Sequence, residues 1–226
     1  MRARAGFIIH AVALFGLLWA ASGALCADSH TGELKLDITS GQQTTTLKIK
    51  TWHKGDLDRF DLPLGGEMGK IVTIIDSKNG TMTTYNPTSK TGDRQKLGGP
   101  MGGATGRMAF DLNQAVKELR GDGYKVTDPS SEGKEAVLGY PCTIKKIQAA
   151  KGSRKETYLF WIPDDPTGLP DALKVKTMGG PMGTVVASYT SVSKGAQVAD
   201  SVFKVPSGVK ITDHSKSSGS GRKKGK

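Results

Sequence analysis

The sequence predicts a mainly β protein of the α+β class, a highly curved antiparallel sheet or unclosed barrel with a helical lid. Three observations carry this. Apolar and β-branched residues alternate with polar ones in run after run from Glu33 onward, the pattern of half-buried strands. Gly supplies 30 of 226 residues, about 13% against a typical ~7%, so turns are frequent. Only Phe110–Arg120 carries clear helical spacing. Ten or more consecutive strands in a flat sheet would expose long edges, and curling the sheet under a helix removes that hazard.

The elements follow in order. Residues 1–27 have a positive start (Arg2, Arg4), an apolar run over Phe7–Ala21 and then small residues. This is the layout of a secretory signal peptide, and the run is short for a membrane span. Cleavage near Cys26 or Ala27 is expected, giving a periplasmic or secreted protein. A second reading makes Cys26 a lipidated anchor, but the bulky Leu25 before it fits that poorly.

Glu33–Ser40 and Thr44–Trp52 form a hairpin around Gly41-Gln42-Gln43. Strands are expected at Asp58–Leu62, Lys70–Asp76 and Thr81–Asn86, with Asn79-Gly80 in a tight turn. In Phe110–Arg120, Leu112, Ala115, Val116 and Leu119 make one apolar helix face. Asp111 suits the N-cap and Gly121 the stop. Strands resume at Tyr124–Thr127, Glu135–Leu138, Tyr140–Ala149, Glu156–Ile162, Ala172–Met178, Thr184–Val192 and Val202–Val205. No break in composition divides residues 28–213, which read as one domain. Residues 214–226 read as a disordered basic tail, with no apolar residue to bury beyond His214.

Charge excludes one function class. The net charge is +11, but the leader holds two of the 32 cations and the tail five, Lys216, Arg222, Lys223, Lys224 and Lys226. The domain between is left with 25 cations against 21 acids. A nucleic-acid-binding face is not expected. The tail could touch an anionic membrane peripherally.

Three glycine-rich loops each display one methionine: Met68 in Gly65–Gly69, Met101 in Gly98–Gly103 and Met182 in Gly179–Gly183. A flexible thioether suits an adaptable apolar rim, so these are the ligand-contact candidates. Copper is the weaker alternative, because the methionines lie on separate loops. No metal site or cofactor is expected. His30 and His214 sit at presumed frayed ends, and Asp56, Asp58 and Asp61 read as a solvated turn neutralised by Lys54 and Arg59. His53 is the one histidine placed to serve a triad, but no nucleophile motif points to it. No catalytic residue is assigned, and an enzyme is not expected. With the leader removed, Cys142 is the sole thiol and is expected buried.

The second half carries a resemblance. Gly139-Tyr-Pro-Cys-Thr-Ile-Lys-Lys146 leads into Glu156-Thr-Tyr-Leu-Phe-Trp161, then Thr167-Gly-Leu-Pro170 with Leu173-Lys174-Val175, and closes on Asp200–Thr212. In the first half Leu57–Phe60, Ile71–Asp76 and Thr81–Pro87 fit the same order. This resembles uncharacterised bacterial secreted domains related to the periplasmic lipoprotein-carrier (LolA/LolB-like) superfamily, over roughly residues 33–212. Asp171-Ala172 departs from the family's pattern by adding one or two residues. The resemblance implies an unclosed barrel with a helical lid over an apolar cavity, and binding of acyl chains or lipidated partners. No binding residues carry over. The expected function is a non-catalytic periplasmic or secreted binding protein that holds a lipid, acyl chain or other apolar ligand. The alternative is an envelope interaction or sensor module that binds a protein through its Gly-Gly-Pro-Met loops.

Overall fold

A two-residue turn at Gly41-Gln42 joins β1 (Ser29–Ser40) to β2 (Gln43–Lys54), pairing His30 with His53, Leu34 with Ile49 and Leu36 with Leu47. Gly41 takes φ +62, which a side chain would disfavour. The structure is a computed structural model, and it describes residues 29–66, 69–97, 110–181 and 183–215. The leader with Cys26, the three methionines Met68, Met101 and Met182, and the tail cations Lys216, Arg222, Lys223, Lys224 and Lys226 lie outside the described residues.

The meander continues through β3 (Leu57–Pro63), β4 (Lys70–Asp76), β5 (Thr81–Asn86) and β6 (Thr91–Lys96). One helix follows, α1 (Leu112–Gly121). Then come β7 (Lys125–Val126), β8 (Ser130–Val137), β9 (Tyr140–Lys151), β10 (Arg154–Pro163), β11 (Lys174–Gly180) and β12 (Gly183–Lys194). A single 3-10 turn at Asp200–Phe203 precedes β13 (Lys210–Asp213).

The thirteen strands form one curved sheet that does not close. Its order is β13-β6-β5-β4-β3-β2-β1-β12-β11-β10-β9-β7, with β8 also on β9. All pairs are antiparallel except β13 with β6. The unclosed curved sheet with one covering helix is the architecture the sequence predicts.

Period-two alternation sorts the side chains. Leu34, Leu36, Ile49, Phe60, Leu62, Ile71 and Ile75 join Tyr158, Phe160, Val175, Val185, Ala187 and Tyr189 in one buried inner cluster, with Ala115 and Leu119 of α1 packed into it. Burying each such large side chain is worth about 1.5–3 kcal/mol. Residues of opposite parity, Trp52, Leu57, Val72, Ile74 and Tyr85, form an outer cluster. The chain after β12 covers that cluster with Val198, Phe203, Val205 and Ile211. Arg59 fastens this covering segment, donating from Nη1 to the Val202 carbonyl at 2.6 Å, and Lys54 donates to the Val198 carbonyl at 3.1 Å.

Several expectations need correction. Val202–Val205 is not a strand: the 3-10 turn takes Val202 and Phe203, and Phe203 is buried against the outer face. The last strand lies later, at Lys210–Asp213. Strand β6, with no apolar residue, was not expected. α1 is capped as foreseen, with Asp111 accepting from the Asn113 and Gln114 amides at 2.7 and 3.2 Å. Its stop is Gly123 rather than Gly121, because Gly123 takes the left-handed conformation at φ +82. Asp58 and Asp61 are buried, not solvated, and His30 is buried at the head of the sheet rather than frayed. His214 also engages the sheet, donating its backbone N–H to the Arg94 carbonyl at 2.7 Å.

Candidate functional site

The inner face of the sheet is apolar along its middle and polar near both ends. At one end, the β1–β2–β3 register places His30, His53 and Asp58 side by side. All three share the inward parity of Leu34, Ile49 and Phe60. His30 stacks on His53 with ring centroids 4.9 Å apart and 23° between planes. His53 Nδ1 lies 2.8 Å from Asp58 Oδ1. Each of the three side chains is at least nine-tenths buried. His30 Nδ1 and Asp58 Oδ2 have no hydrogen-bond partner.

The electrostatics divide the two imidazoles. Burial, reinforced by the charge of His53, lowers His30 to about 3, so it is neutral at ordinary pH. Burial pulls His53 down as well, but the hydrogen bond to and charge of Asp58, helped by Asp171 and Asp56, outweigh it and raise the group above its ordinary value. Burial raises Asp58 against the opposing pull of His53. Both shifts favour a proton on the His53–Asp58 pair.

Tyr189 closes this end. Its ring rests where a side chain of residue 32 would sit: a Cβ on Gly32 would lie 3.1 Å from two ring carbons and 2.6 Å from the Ser191 carbonyl oxygen. The approach accompanies a register shift against β12 between Glu33 and Leu34 of β1. Phe110, just before α1, meets Tyr189 edge-on at 5.3 Å. Burial raises the Tyr189 hydroxyl far above its usual range, so it stays protonated.

The opposite end is polar too. Glu156 is fully buried and pairs with Arg154 Nε at 2.5 Å. The Tyr158 hydroxyl donates to the same carboxylate. Thr177 lies beside Tyr158 in the ladder and level with Val185 and Ile38. Its hydroxyl is buried without a partner. From His30 to Ile38 is eight residues along β1, or about 26 Å at ~3.3 Å per residue. Leu34, Leu36, Phe60, Val175 and Ala187 lie between the two ends in the buried cluster.

α1 packs on the inner cluster through buried Ala115 and Leu119 and partly buried Leu112 and Val116, and Phe110 before it and Tyr124 after it are buried in the same cluster.

Of the residues singled out from sequence, Cys142 is placed where expected. It is buried on β9, its thiol directed at the Tyr140 carbonyl at 3.3 Å, and burial raises its pKa. His53 is at the site, but in a pair with Asp58 rather than beside a nucleophile. His30 and Asp58 were missed as site residues. The signal was there: a turn at residues 41–42 sets 30 opposite 53, and both positions share the parity of buried leucines and isoleucines. Among the described residues no group of three or more His, Cys, Asp or Glu could hold a metal. Nor is any described helix long and apolar enough to cross a membrane.

A concavity lies on the outer face. It encloses about 710 Å³ between Leu57, Ile74, Thr83 and Arg94 of the sheet and Phe203 and Val205 of the covering segment. Arg94 donates from Nε to Thr83 Oγ1 across its floor at 3.0 Å. Asp76 and Asp213 on its walls are bonded to Asn79 and Ser215.

No protein-family model matches the chain, and no curated protein does either. Solved structures do. An uncharacterized conserved protein from Thermus thermophilus aligns over 93% of this chain and 99% of its own at 8% identity, with a TM-score of 0.52. The Pseudomonas aeruginosa MucA/MucB complex aligns over 93% of this chain and 64% of that one at 16% identity, with a TM-score of 0.50. A LolA superfamily protein from Nitrosomonas europaea aligns over 86% of this chain and 97% of its own at 11% identity, with a TM-score of 0.48. At these identities the likeness is one of fold.

Proposed function

We propose that the protein is a non-catalytic, extracytoplasmic binding protein that holds a lipid or other elongated apolar molecule against the inner face of its sheet. The observation that supports this most is the inner face itself: an apolar band of about 26 Å with a polar cluster at each end, beneath a helix that packs on it through Ala115 and Leu119. Such a band binds by burial alone, at ~0.8 kcal/mol per CH₂, and needs no catalytic group. The leader at residues 1–27 supports placement outside the cytoplasm. In this reading α1 lifts, the ligand replaces the helix side chains, and the polar ends fix its position.

Organic extraction of the purified protein followed by lipid mass spectrometry tests this. A lipid recovered at near one per protein, seen also as a mass increment under native spray, is the expected result. Protein that stays unliganded by native mass spectrometry after incubation with mixed lipid vesicles would remove the reading.

A further inference from the structure

We infer that the His30–His53–Asp58 cluster is a subsite for an uncharged, hydroxyl-bearing head group, so that the bound amphiphile is of the glyceride type rather than a free fatty acid or a phospholipid. This rests on the carrier reading above and adds a chemical class to it.

The argument begins from unmet hydrogen bonds. A buried polar atom without a partner costs about 1–3 kcal/mol, and two of them flank the same His53 ring: His30 Nδ1 stacked on one side and Asp58 Oδ2 on the other. Asp58 Oδ2 belongs to a carboxyl whose other oxygen is already engaged by His53. It asks for a donor. His30 is neutral, so its Nδ1 accepts or donates according to tautomer. A hydroxyl both donates and accepts. It satisfies either tautomer of His30 and still gives a proton to Asp58.

A carboxylate or phosphate cannot do this. Ionised oxygens are acceptors only, so they would face Asp58 Oδ2 acceptor to acceptor. The charge around the site adds to the mismatch. His53 and Asp58 form a pair of no net charge, and the carboxylates of Asp171 and Asp56 also bear on it. No unpaired cation among the groups acting on His53 is there to receive an anion. His30, His53 and Asp58 are all buried, where such repulsion is poorly screened.

The test compares three probes with one acyl chain: monopalmitoylglycerol, palmitate and palmitoyl-lysophosphatidic acid, each titrated into delipidated full-length protein and read by displacement of a fluorescent fatty alcohol. The inference expects monopalmitoylglycerol to bind at least tenfold more tightly than either anion. In Asp58→Asn the preference should fall below threefold while binding of all three persists. Equal or tighter binding of palmitate or the lysophosphatidate overturns the subsite and leaves the carrier reading standing. Failure of all three probes and of the fluorescent alcohol overturns the carrier reading and the subsite with it. Should the variant not fold, the wild-type ranking of the three probes decides alone.

Discussion

His53 Nδ1 sits 2.8 Å from Asp58 Oδ1 across the β2–β3 ladder, with both side chains out of water. A buried pair of this kind resists the loss of one partner more than the replacement of both. Asp58→Asn removes the partner that offsets burial, so the folded protein no longer favours a proton on His53 that the unfolded chain still takes up. The variant should lose about 3 kcal/mol of stability near pH 6. The deficit should shrink toward pH 8, where the orphaned imidazole is neutral. Urea denaturation at the two pH values measures both parts, and a pH-independent deficit would contradict the pairing.

His30 predicts acid lability of its own. Its folded value is depressed to about 3 by burial, against ~6.5 in an unfolded chain. The unfolded state therefore takes up a proton that the folded state refuses. The contribution to stability is present above pH 6.5 and is lost as the pH falls from 6.5 toward 3. By pH 5 the loss from this group is about 2 kcal/mol. His53, shifted upward, acts in the opposite sense: its contribution is full below 6.5 and fades as the pH rises through its folded value. Replacing His30 with Asn should flatten the fall in urea midpoint between pH 7 and pH 5, whereas an unchanged slope would place the acid sensitivity elsewhere.

Gly32 is required by the ring of Tyr189. Gly32→Ala brings a methyl to 2.6 Å from the Ser191 carbonyl oxygen, so backbone must move. A loss of about 1–3 kcal/mol is expected. The effect should concentrate on β1 and β12, visible as faster amide exchange at Leu34 and Ala187.

Cys142 should be chemically quiet. It is buried and its pKa is raised, so both access and thiolate fraction are low. Native protein should react with a thiol reagent at least a hundredfold more slowly than protein in denaturant. Comparable rates would show that β9 opens readily.

Arg59 fastens the segment that follows β12. It stacks on Trp52 at 5.3 Å and bonds the Val202 carbonyl. Arg59→Ala should raise hydrogen exchange over Ala196–Ile211 while leaving β9 and β10 protected. Uniform protection throughout would assign the clamp to Phe203 and Val198 alone.

How much of this was legible depended on apolar alternation. Strands β1 to β5 and β9 to β12 carry it, and the sequence located them within a few residues. β6 reads Thr-Gly-Asp-Arg-Gln-Lys, with no apolar residue, and is held by hydrogen bonds on both sides instead. Most of β8 is exposed on both faces, so only its last residues gave a signal. Val202–Val205 alternates convincingly, but the outer face needed Phe203 from a turn. The parallel ladder of β13 with β6 joins residues more than a hundred positions apart, which no local pattern encodes. At the candidate site the residues were visible but their burial was not. Histidine and aspartate near a turn look solvated until a second strand is laid over them.

The central ladder of β1 with β12 has a consequence for how the molecule is made. Leu36 meets Ala187 there, and it is this ladder that joins the β1–β6 meander to β9–β12. Each half can zip up from neighbouring hairpins. The seam between them must wait until some 150 residues more have been synthesised, and bringing such distant segments together is slow. Until then the inner edge of β1 is an open template for any strand it meets. The chain should therefore refold slowly and with strong concentration dependence, because its two halves lock only once β12 has found β1.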